Sequence, residues 1–333
     1  MMSTPIVSVV LPSFNAASTL SQAIKSVCDQ SFPDWELILI DDGSTDGSCE
    51  LAANAARSDE RFQVIKSEHV GIVRALNAGC AVARGRYIAR MDADDVSHPN
   101  RLALQVELME RDPSVALCGT LVKMVGETVR RGRRRYEQWI NNLVTHEDIV
   151  RELFIECPIP HPTFLIRRTW LERVGGYQDA GWAEDYDLCM RLFSAGARFA
   201  KVPQVLLDWT ESHKRLSMTD DRYSQFRFRE LKRHYLFETY LKGRPFHQWG
   251  AGEIGKLWLR EWTDRRPVAV VDTNLRKIGS HIHGIPVIAP DDLPPPGETF
   301  TVIAVGAPDA RPLIREWMQP RGYQELKDYL FLA

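Results

Sequence analysis

Three carboxylates stand within four residues at Asp92, Asp94 and Asp95, after the apolar segment Tyr87-Ile88-Ala89 and before His98-Pro99. Carboxylates one residue apart, just beyond a strand, can grip a hard divalent cation, and that cation can hold a diphosphate. The chemistry indicated is the handling of a nucleotide-activated substrate. A solvated turn has the same composition, so the run needs support from elsewhere in the chain.

That support lies in the elements that must position it. Residues 6–11 are a valine-rich apolar run, the composition of a parallel strand covered on both faces. Residues 18–28 place Leu20, Ala23, Ile24 and Val27 on one helical stripe, with Ser18 as the expected cap. A strand over 35–40, a helix to Arg57, a strand over 62–66, a helix over 71–83 and a strand over 86–89 follow. This alternation predicts an α/β fold with a parallel sheet flanked by helices. In such sheets ligands bind beyond the carboxyl ends of the strands. Residues 12–15, 41–46 and 92–95 all fall there, so three separate loops converge on one rim.

The pattern then becomes less regular. The run Arg130-Arg131-Gly132-Arg133-Arg134-Arg135 is expected as a mobile loop. Its functional reading is contact with anionic lipid headgroups or a phosphorylated acceptor, with Trp139 at the interface. Helix is expected over 139–154. Pro158, Pro160 and Pro162 exclude helix interior, so a shaped loop is expected there, with His161 toward the cleft.

An amphipathic helix over 220–241, broken by Gly243-Arg244-Pro245, is expected to close a first domain, giving domains 1–243 and 244–333. The second begins with a short strand to Gly250, the loop Gly250-Ala251-Gly252-Glu253-Ile254-Gly255, a helix through Trp262 and a strand ending at Asp272. That is the order of a dinucleotide fingerprint. Gly250, Gly252 and Gly255 would let backbone approach a pyrophosphate at a helix N-terminus, with Asp272 at the distance of a ribose contact: a second nucleotide site. About 60 residues follow Asp272, too few for a full doubly wound dehydrogenase domain. Packing or oligomerisation is the other use such a unit can have.

The bulk properties exclude several classes. A chain of 333 residues with 26% charged residues and a net charge of -2 has no global attraction for nucleic acid. Its apolar stretches fall short of the roughly 20 residues that cross a bilayer, and no signal-peptide core follows Met1. A cytoplasmic protein is expected, with peripheral contact at the inner membrane face as the extension. Six cysteines without paired spacing read as buried reduced thiols.

The segments Val9-Val10-Leu11-Pro12-Ser13-Phe14-Asn15, Trp35-Glu36-Leu37-Ile38 and Asp41-Asp42-Gly43-Ser44-Thr45-Asp46-Gly47 strongly resemble the start of family 2 glycosyltransferases of the GT-A fold. Ala75-Leu76-Asn77-Ala78-Gly79 and Asp92-Ala93-Asp94-Asp95 continue the likeness in order. It is strong over residues 5–120. It is thinner over 155–220, where His161-Pro162-Thr163, Gly175-Gly176-Tyr177, Glu184-Asp185-Tyr186-Asp187-Leu188 and His213 through Ser217 match.

The resemblance implies a GT-A domain, Rossmann-like in layout, with a small Rossmann-like domain appended. It implies inverting transfer of a sugar from a nucleotide donor to an acceptor hydroxyl, with Mn²⁺ or Mg²⁺ as cofactor. By the family pattern Asp94 contacts the metal most directly, and Asp92 serves ribose or metal. Pro12, Ser13, Asn15 and Asp41 would contact base and ribose, and Asp42 would accept from the N3 proton of a uracil, which suggests a UDP-sugar. Arg74 could reach the diphosphate. Asp185, at a helix start that suits a carboxylate, is the expected base, with Glu184 the fallback. His213 would fold over the donor as metal ligand or phosphate contact, helped by Arg215. The acceptor would be a saccharide or lipid-linked saccharide in glycan or polysaccharide assembly. Two rivals stay open: an NAD-linked sugar-nucleotide oxidoreductase working through the C-terminal domain, and a non-catalytic sugar-nucleotide-binding protein.

Overall fold

Every residue of β1 (Val7–Ser13) is buried, as a central strand with helices on both faces requires. The computed structural model describes residues 4–213, 215–263, 265–307 and 309–333. After β1 the chain alternates through α1 (Leu20–Cys28), β2 (Trp35–Asp42), α2 (Ser48–Ser58), β3 (Phe62–Ser67), α3 (Ile72–Val82) and β4 (Tyr87–Arg90). The stripe Leu20, Ala23, Ile24 and Val27 is buried, and each of its larger side chains contributes ~1.5–3 kcal/mol by leaving water. The helix starts one residue later than expected: Thr19, not Ser18, occupies the cap position, and its side chain caps no backbone N–H. The carbonyl of Ala16 takes the Thr19 and Leu20 N–H groups instead, at 3.0 and 2.9 Å.

The less regular stretch contains β5 (Val96–Ser97), α4 (Arg101–Arg111), β6 (Val115–Val125), α5 (Arg131–Asn141), α6 (His146–Glu152), β7 (Leu165–Arg167), α7 (Arg168–Arg173), α8 (Glu184–Ser194), β8 (Arg198–Thr210) and α9 (Leu216–Thr219). Among the described residues, eight strands form one sheet in the order β3-β2-β1-β4-β7-β6-β8-β5. The first four are mutually parallel, and β7 enters antiparallel to both β4 and β6. The three proline-flanked residues His161–Thr163 form a single 3-10 turn ahead of β7.

The basic run is helix, not loop. Arg131 to Arg135 open α5, because tertiary partners answer the charge that argued against order. Arg133 pairs with Glu211 at 3.0 Å, and Arg134 with Glu137 at 2.8 Å and the Met124 carbonyl at 3.0 Å. Asn141 then bonds both the N–H and the carbonyl of Val122, at 3.0 and 2.7 Å, docking the helix on β6. Trp139 is half-buried and packs against the apolar core that contains Val122, Met124 and Ile140.

The remaining elements are α10 (Gln225–Glu238), β9 (Phe246–Trp249), α11 (Glu253–Glu261), β10 (Val270–Val271), β11 (His281–Ile282), β12 (Ile285–Ile288), β13 (Phe300–Ile303), α12 (Ala310–Met318) and β14 (Tyr329–Phe331). They form a second sheet in the order β11-β12-β10-β9-β13-β14. Contacts divide the chain into one unit running to Ile149 with Pro158–Ala180 and Glu184–Asp220, and another of Val150–Cys157, Gly181–Ala183 and Asp221–Ala333. Helix α10, expected to close the first domain, therefore groups with the second unit. Its Lys232 ammonium donates to the carbonyls of Ile155 and Leu332 at 2.6 and 3.2 Å, and Phe237 meets Phe246 and Trp262 edge-on.

The cysteines form no disulfide among the described residues, and Cys28 is exposed rather than buried. No helix among the described residues is long and apolar enough to cross a membrane.

Candidate active site

Three strand ends of the first unit carry the site. Parallel register sets Ser13 opposite Asp41 and Val10 opposite Arg90, so the loops after β1, β2 and β4 leave the same edge. The first two are laced together. Asn15, in the left-handed region at φ 49, donates its N–H to Ser44 Oγ at 2.9 Å and accepts the Thr45 N–H at 2.9 Å. The Ala17 N–H reaches Asp46 at 3.0 Å. Asn15 thus fixes the loop shape, a role its side chain can fill only because asparagine tolerates positive φ.

The two aspartates at the end of β2 have different surroundings. Asp42 accepts the N–H groups of Val70 and Gly71 at 2.8 and 2.9 Å, and Ser67 Oγ at 3.2 Å, holding the loop into α3. Gly43 lets that loop close, since a Cβ there would lie 2.7 Å from the His69 nitrogen. Asp41 takes the Ser44 N–H on Oδ2 at 3.4 Å, while its buried Oδ1 has no partner. Ser13 Oγ is likewise buried and unpartnered, and Pro12 is buried beside it. At the edge, Phe14 is 47% exposed and stacks on His69 with ring centres 4.0 Å apart. Arg74 is exposed on the first turn of α3.

Beyond β4 the carboxylates of Asp92, Asp94 and Asp95 each bring an oxygen within 4.8 Å of the others. The loop is gripped from below and beside. Buried Arg90 forms an ion pair with Asp92, and Arg101 holds the Arg90 carbonyl at 2.7 Å. Thr210, at the end of β8, donates its N–H to Asp95 at 2.7 Å and its hydroxyl to the Asp94 carbonyl at 2.5 Å. Burial, then the charge of Asp92, pushes the Asp94 carboxyl up to about 6. Asp95 is raised by burial and both neighbours, and its Oδ2 has no hydrogen-bond partner. Such a group of oxygens, two of the carboxyls raised in proton affinity and one buried atom unsatisfied, fits a hard divalent cation.

Arg215 lies close enough for its charge to lower the proton affinity of Asp94 and Asp95. It is anchored by Glu211 and sits with its guanidinium carbon 4.8 Å from the Trp209 ring centre. His213 is exposed and does not join the acidic group among the described residues.

The expected base region assembles around α8. Asp185 is partly exposed in the first turn, where its Oδ1 accepts the Tyr186 N–H at 2.7 Å. Glu184 is 2% exposed and lies 3.6 Å from His161 Nδ1. His161 is buried, with Nε2 at 3.0 Å from the Tyr177 hydroxyl. Burial, then the charge of Arg90, holds its imidazole well below the usual range, hence neutral. Asn77 of α3 clamps Tyr177 through its N–H and carbonyl, at 3.0 and 2.8 Å. Arg191 ties Asp187 to the carbonyls of Val174 and Gly176 at 2.7, 2.6 and 2.8 Å. Helix α8 is thereby seated before Asp185 is presented.

Arg90, Asp95 and Thr210 were not singled out from sequence. Asp95 was visible as the third carboxylate of the run. Arg90 could have been found from its neighbour Asp92, two residues on; nothing local marks Thr210, which lies 115 residues from Asp95.

In the second unit Gly250 ends β9 at φ +117, where a Cβ would meet the Ala304 carbonyl oxygen at 2.6 Å. A Cβ on Gly255 would lie 2.0 Å from the Gly250 oxygen, whereas Gly252 faces open space. Asp272 accepts the Ala251 N–H at 3.0 Å.

Residues 8–175 match the sequence profile described as Glycosyl transferase family 2. A Bacillus subtilis protein assigned as a glycosyltransferase, EpsE, is 33% identical over 227 residues, covering 66% of this chain and 79% of that one. The amylovoran biosynthesis glycosyltransferase AmsE of Erwinia amylovora is 29% identical over 189 residues, 56% of this chain and 69% of AmsE. Among solved structures, S. aureus TarS 1-349 in complex with UDP-GlcNAc superposes with a TM-score of 0.57 at 17% identity, over 69% of this chain and 66% of TarS. The mannosyltransferase PcManGT of Pyrobaculum calidifontis, in complex with GDP-Man and Mn²⁺, gives 0.51 at 22% identity, over 72% and 64%.

Proposed function

This chain belongs to glycosyl transferase family 2, and from that premise we propose that it transfers a sugar from a UDP-linked donor to an acceptor hydroxyl with inversion, Asp185 being the base. The acceptor is a saccharide in glycan or polysaccharide assembly, a reading supported by the likeness to AmsE.

The observation that carries the proposal is the meeting of three carboxylates within 4.8 Å beyond β4, two of them raised in proton affinity. Asp94 and Asp92 would hold Mn²⁺ or Mg²⁺, with Asp95 behind them. Once bound, that cation supplies positive charge to the leaving diphosphate without proton transfer. Arg90 keeps the Asp92 carboxylate in place. Arg215 contributes a second positive charge, and His213 and Arg74 serve the donor's phosphates.

The base of the donor is read at the β1 and β2 ends. Both Asp42 oxygens already accept backbone N–H groups, so Asp41, with an unpartnered oxygen beside Ser13, is the carboxylate left to accept an imide N–H. Uracil and thymine offer that proton at N3 and guanine a like one at N1; adenine and cytosine have no ring N–H to offer. Phe14, stacked on His69, extends the rim with an apolar ring.

Asp185 takes the acceptor's proton as the new glycosidic bond forms. Its carboxylate is partly exposed while Glu184 is buried against His161, which makes Glu184 a positioning residue. The test is release of nucleotide from UDP-, GDP- and dTDP-hexoses, with and without Mn²⁺ and with a saccharide acceptor. Mn²⁺-dependent release of UDP is expected. Asp185→Asn should lower transfer by roughly 10²- to 10⁴-fold while UDP binding with Mn²⁺ persists. Metal-independent release, or full transfer by Asp185→Asn, sinks the assignment.

A further inference from the structure

The second unit contains a cavity of about 660 Å³, lined by the glycine loop after β9, by Asp272 and Lys277 after β10, and by the segment after β13. Its place follows from topology. Taking β9, β10, β12, β13 and β14 in chain order as strands one to five, the parallel sheet runs 3-2-1-4-5. The order reverses between β9 and β13, and at such a switch point the loops of neighbouring strands part and leave a crevice at their carboxyl ends. The cavity opens there, between Gly250 and Ala304.

Its wall is built asymmetrically. On one side the chain turns into α11 with its first N–H groups, those of Gly252, Glu253 and Ile254, beside the cavity; the first N–H groups of a helix have no partner within it. The loop can take this course only because Gly250 and Gly255 lack a Cβ, and the position of the missing Gly252 Cβ is open space. Lys277 brings its ammonium to the same loop, 3.1 Å from the Ala251 carbonyl and 3.1 Å from Asp272. Asp272 also accepts the N–H groups of Ala251 and Asn274 at 3.0 and 2.8 Å, so it is the clamp that fixes loop and lysine together. The opposite side is apolar, with Ile314, Trp317 and Leu313 of α12. Leu313 is 64% exposed although it stands on a cavity wall, a surface that a ligand's ring would cover.

We propose that this cavity binds a nucleoside 5′-diphosphate, separate from the donor site of the first unit. The diphosphate lies on the N–H groups of Gly252 to Ile254 and the Lys277 ammonium, and the base lies against Leu313 and Trp317. The apolar wall on α12 offers one face for a ring, that of Leu313 and Trp317. One nucleotide, not a dinucleotide, is the ligand class. The positive charge comes from backbone and lysine, so binding needs no divalent cation.

The full chain carrying Asp94→Ala is titrated calorimetrically in EDTA, which removes the donor site from the measurement. ADP and UDP are the probes, and the stronger of the two names the base. One molecule per chain is expected, with affinity lowered at least tenfold by Gly252→Asp, which places a carboxylate where the phosphate sits. Lys277→Gln should weaken binding severalfold, and Leu313→Glu likewise. Circular dichroism melting of each variant shows that it is folded; if Gly252→Asp is not, Leu313→Glu and Lys277→Gln decide. Failure of both nucleotides to bind at millimolar concentration, equal binding by the folded variants, or NAD binding tenfold tighter than either diphosphate overturns the proposal.

Discussion

The rim of the first unit and the glycine loop of the second solve one problem with opposite charges. Both lie at the carboxyl ends of parallel strands, both are shaped by an aspartate that accepts backbone N–H groups, Asp42 in one and Asp272 in the other. The first then gathers Asp92, Asp94 and Asp95, whose negative charge repels a diphosphate unless a cation intervenes. The second offers N–H groups and Lys277, which attract one directly. A shared place at the carboxyl ends of parallel strands therefore does not settle whether a site depends on metal. The side chains placed just past the strand do, since unit charges a few ångströms apart interact more strongly than a hydrogen bond in a site screened from water.

The largest effect that would break this contrast is on catalysis. Asp94→Asn should lower sugar transfer by roughly 10²- to 10³-fold, the scale of losing one group that stabilises developing charge. Nucleotide binding to the second unit should be unchanged in the same variant. Loss of both together would show that the two sites are not distinct.

A second measurement sharpens the comparison through pH. The Asp94 carboxyl stands at about 6, above its ordinary value of 3.8. A raised carboxylate favours the fold when protonated, fully below its unfolded value, and that contribution is lost as pH rises through about 6. At pH 7.5 the metal-free cluster is thus a source of repulsion that Mn²⁺ relieves; at pH 5 a proton does so. Mn²⁺ should raise the thermal midpoint by about 4 °C or more at pH 7.5 and by clearly less at pH 5. An equal or reversed shift, read by calorimetry, counts against the cluster as the cation site.

The smallest effect concerns the scaffold of the base. Asn77→Ala removes both bonds to the Tyr177 backbone and should destabilise the first unit by about 1–3 kcal/mol. A severalfold drop in transfer, with donor binding retained, is expected from the loosened seat of α8. Urea unfolding beside steady-state kinetics checks both halves.

Much of this architecture was legible before any coordinates. The alternation from residue 6 to 90 was readable because parallel strands are continuous apolar runs and their helices carry a 3.6-residue stripe. The acidic loop was readable because carboxylates that share one turn must be close in sequence. The basic run misled, since Arg131 to Arg135 repel one another locally, and their charge is answered by Glu137 within the helix and by Glu211 from a distant segment. Helix α10 misled for a related reason: its pattern shows that it buries one face, but not against which unit.

Residue type and spacing alone determined the order of elements from residue 6 to 90, the three loops at one rim, and the glycines that admit close backbone approach, while the family came from resemblance of motifs. Those properties are local, fixed by sterics and periodicity within a few residues. Which oxygen of which aspartate remains unsatisfied, that His161 is buried beside Glu184 and Tyr177, that Thr210 holds the acidic loop, and that a cavity opens between β9 and β13 were decided by tertiary structure. They depend on contacts between segments tens to more than a hundred residues apart, as between Asp95 and Thr210, and no local pattern encodes such a meeting.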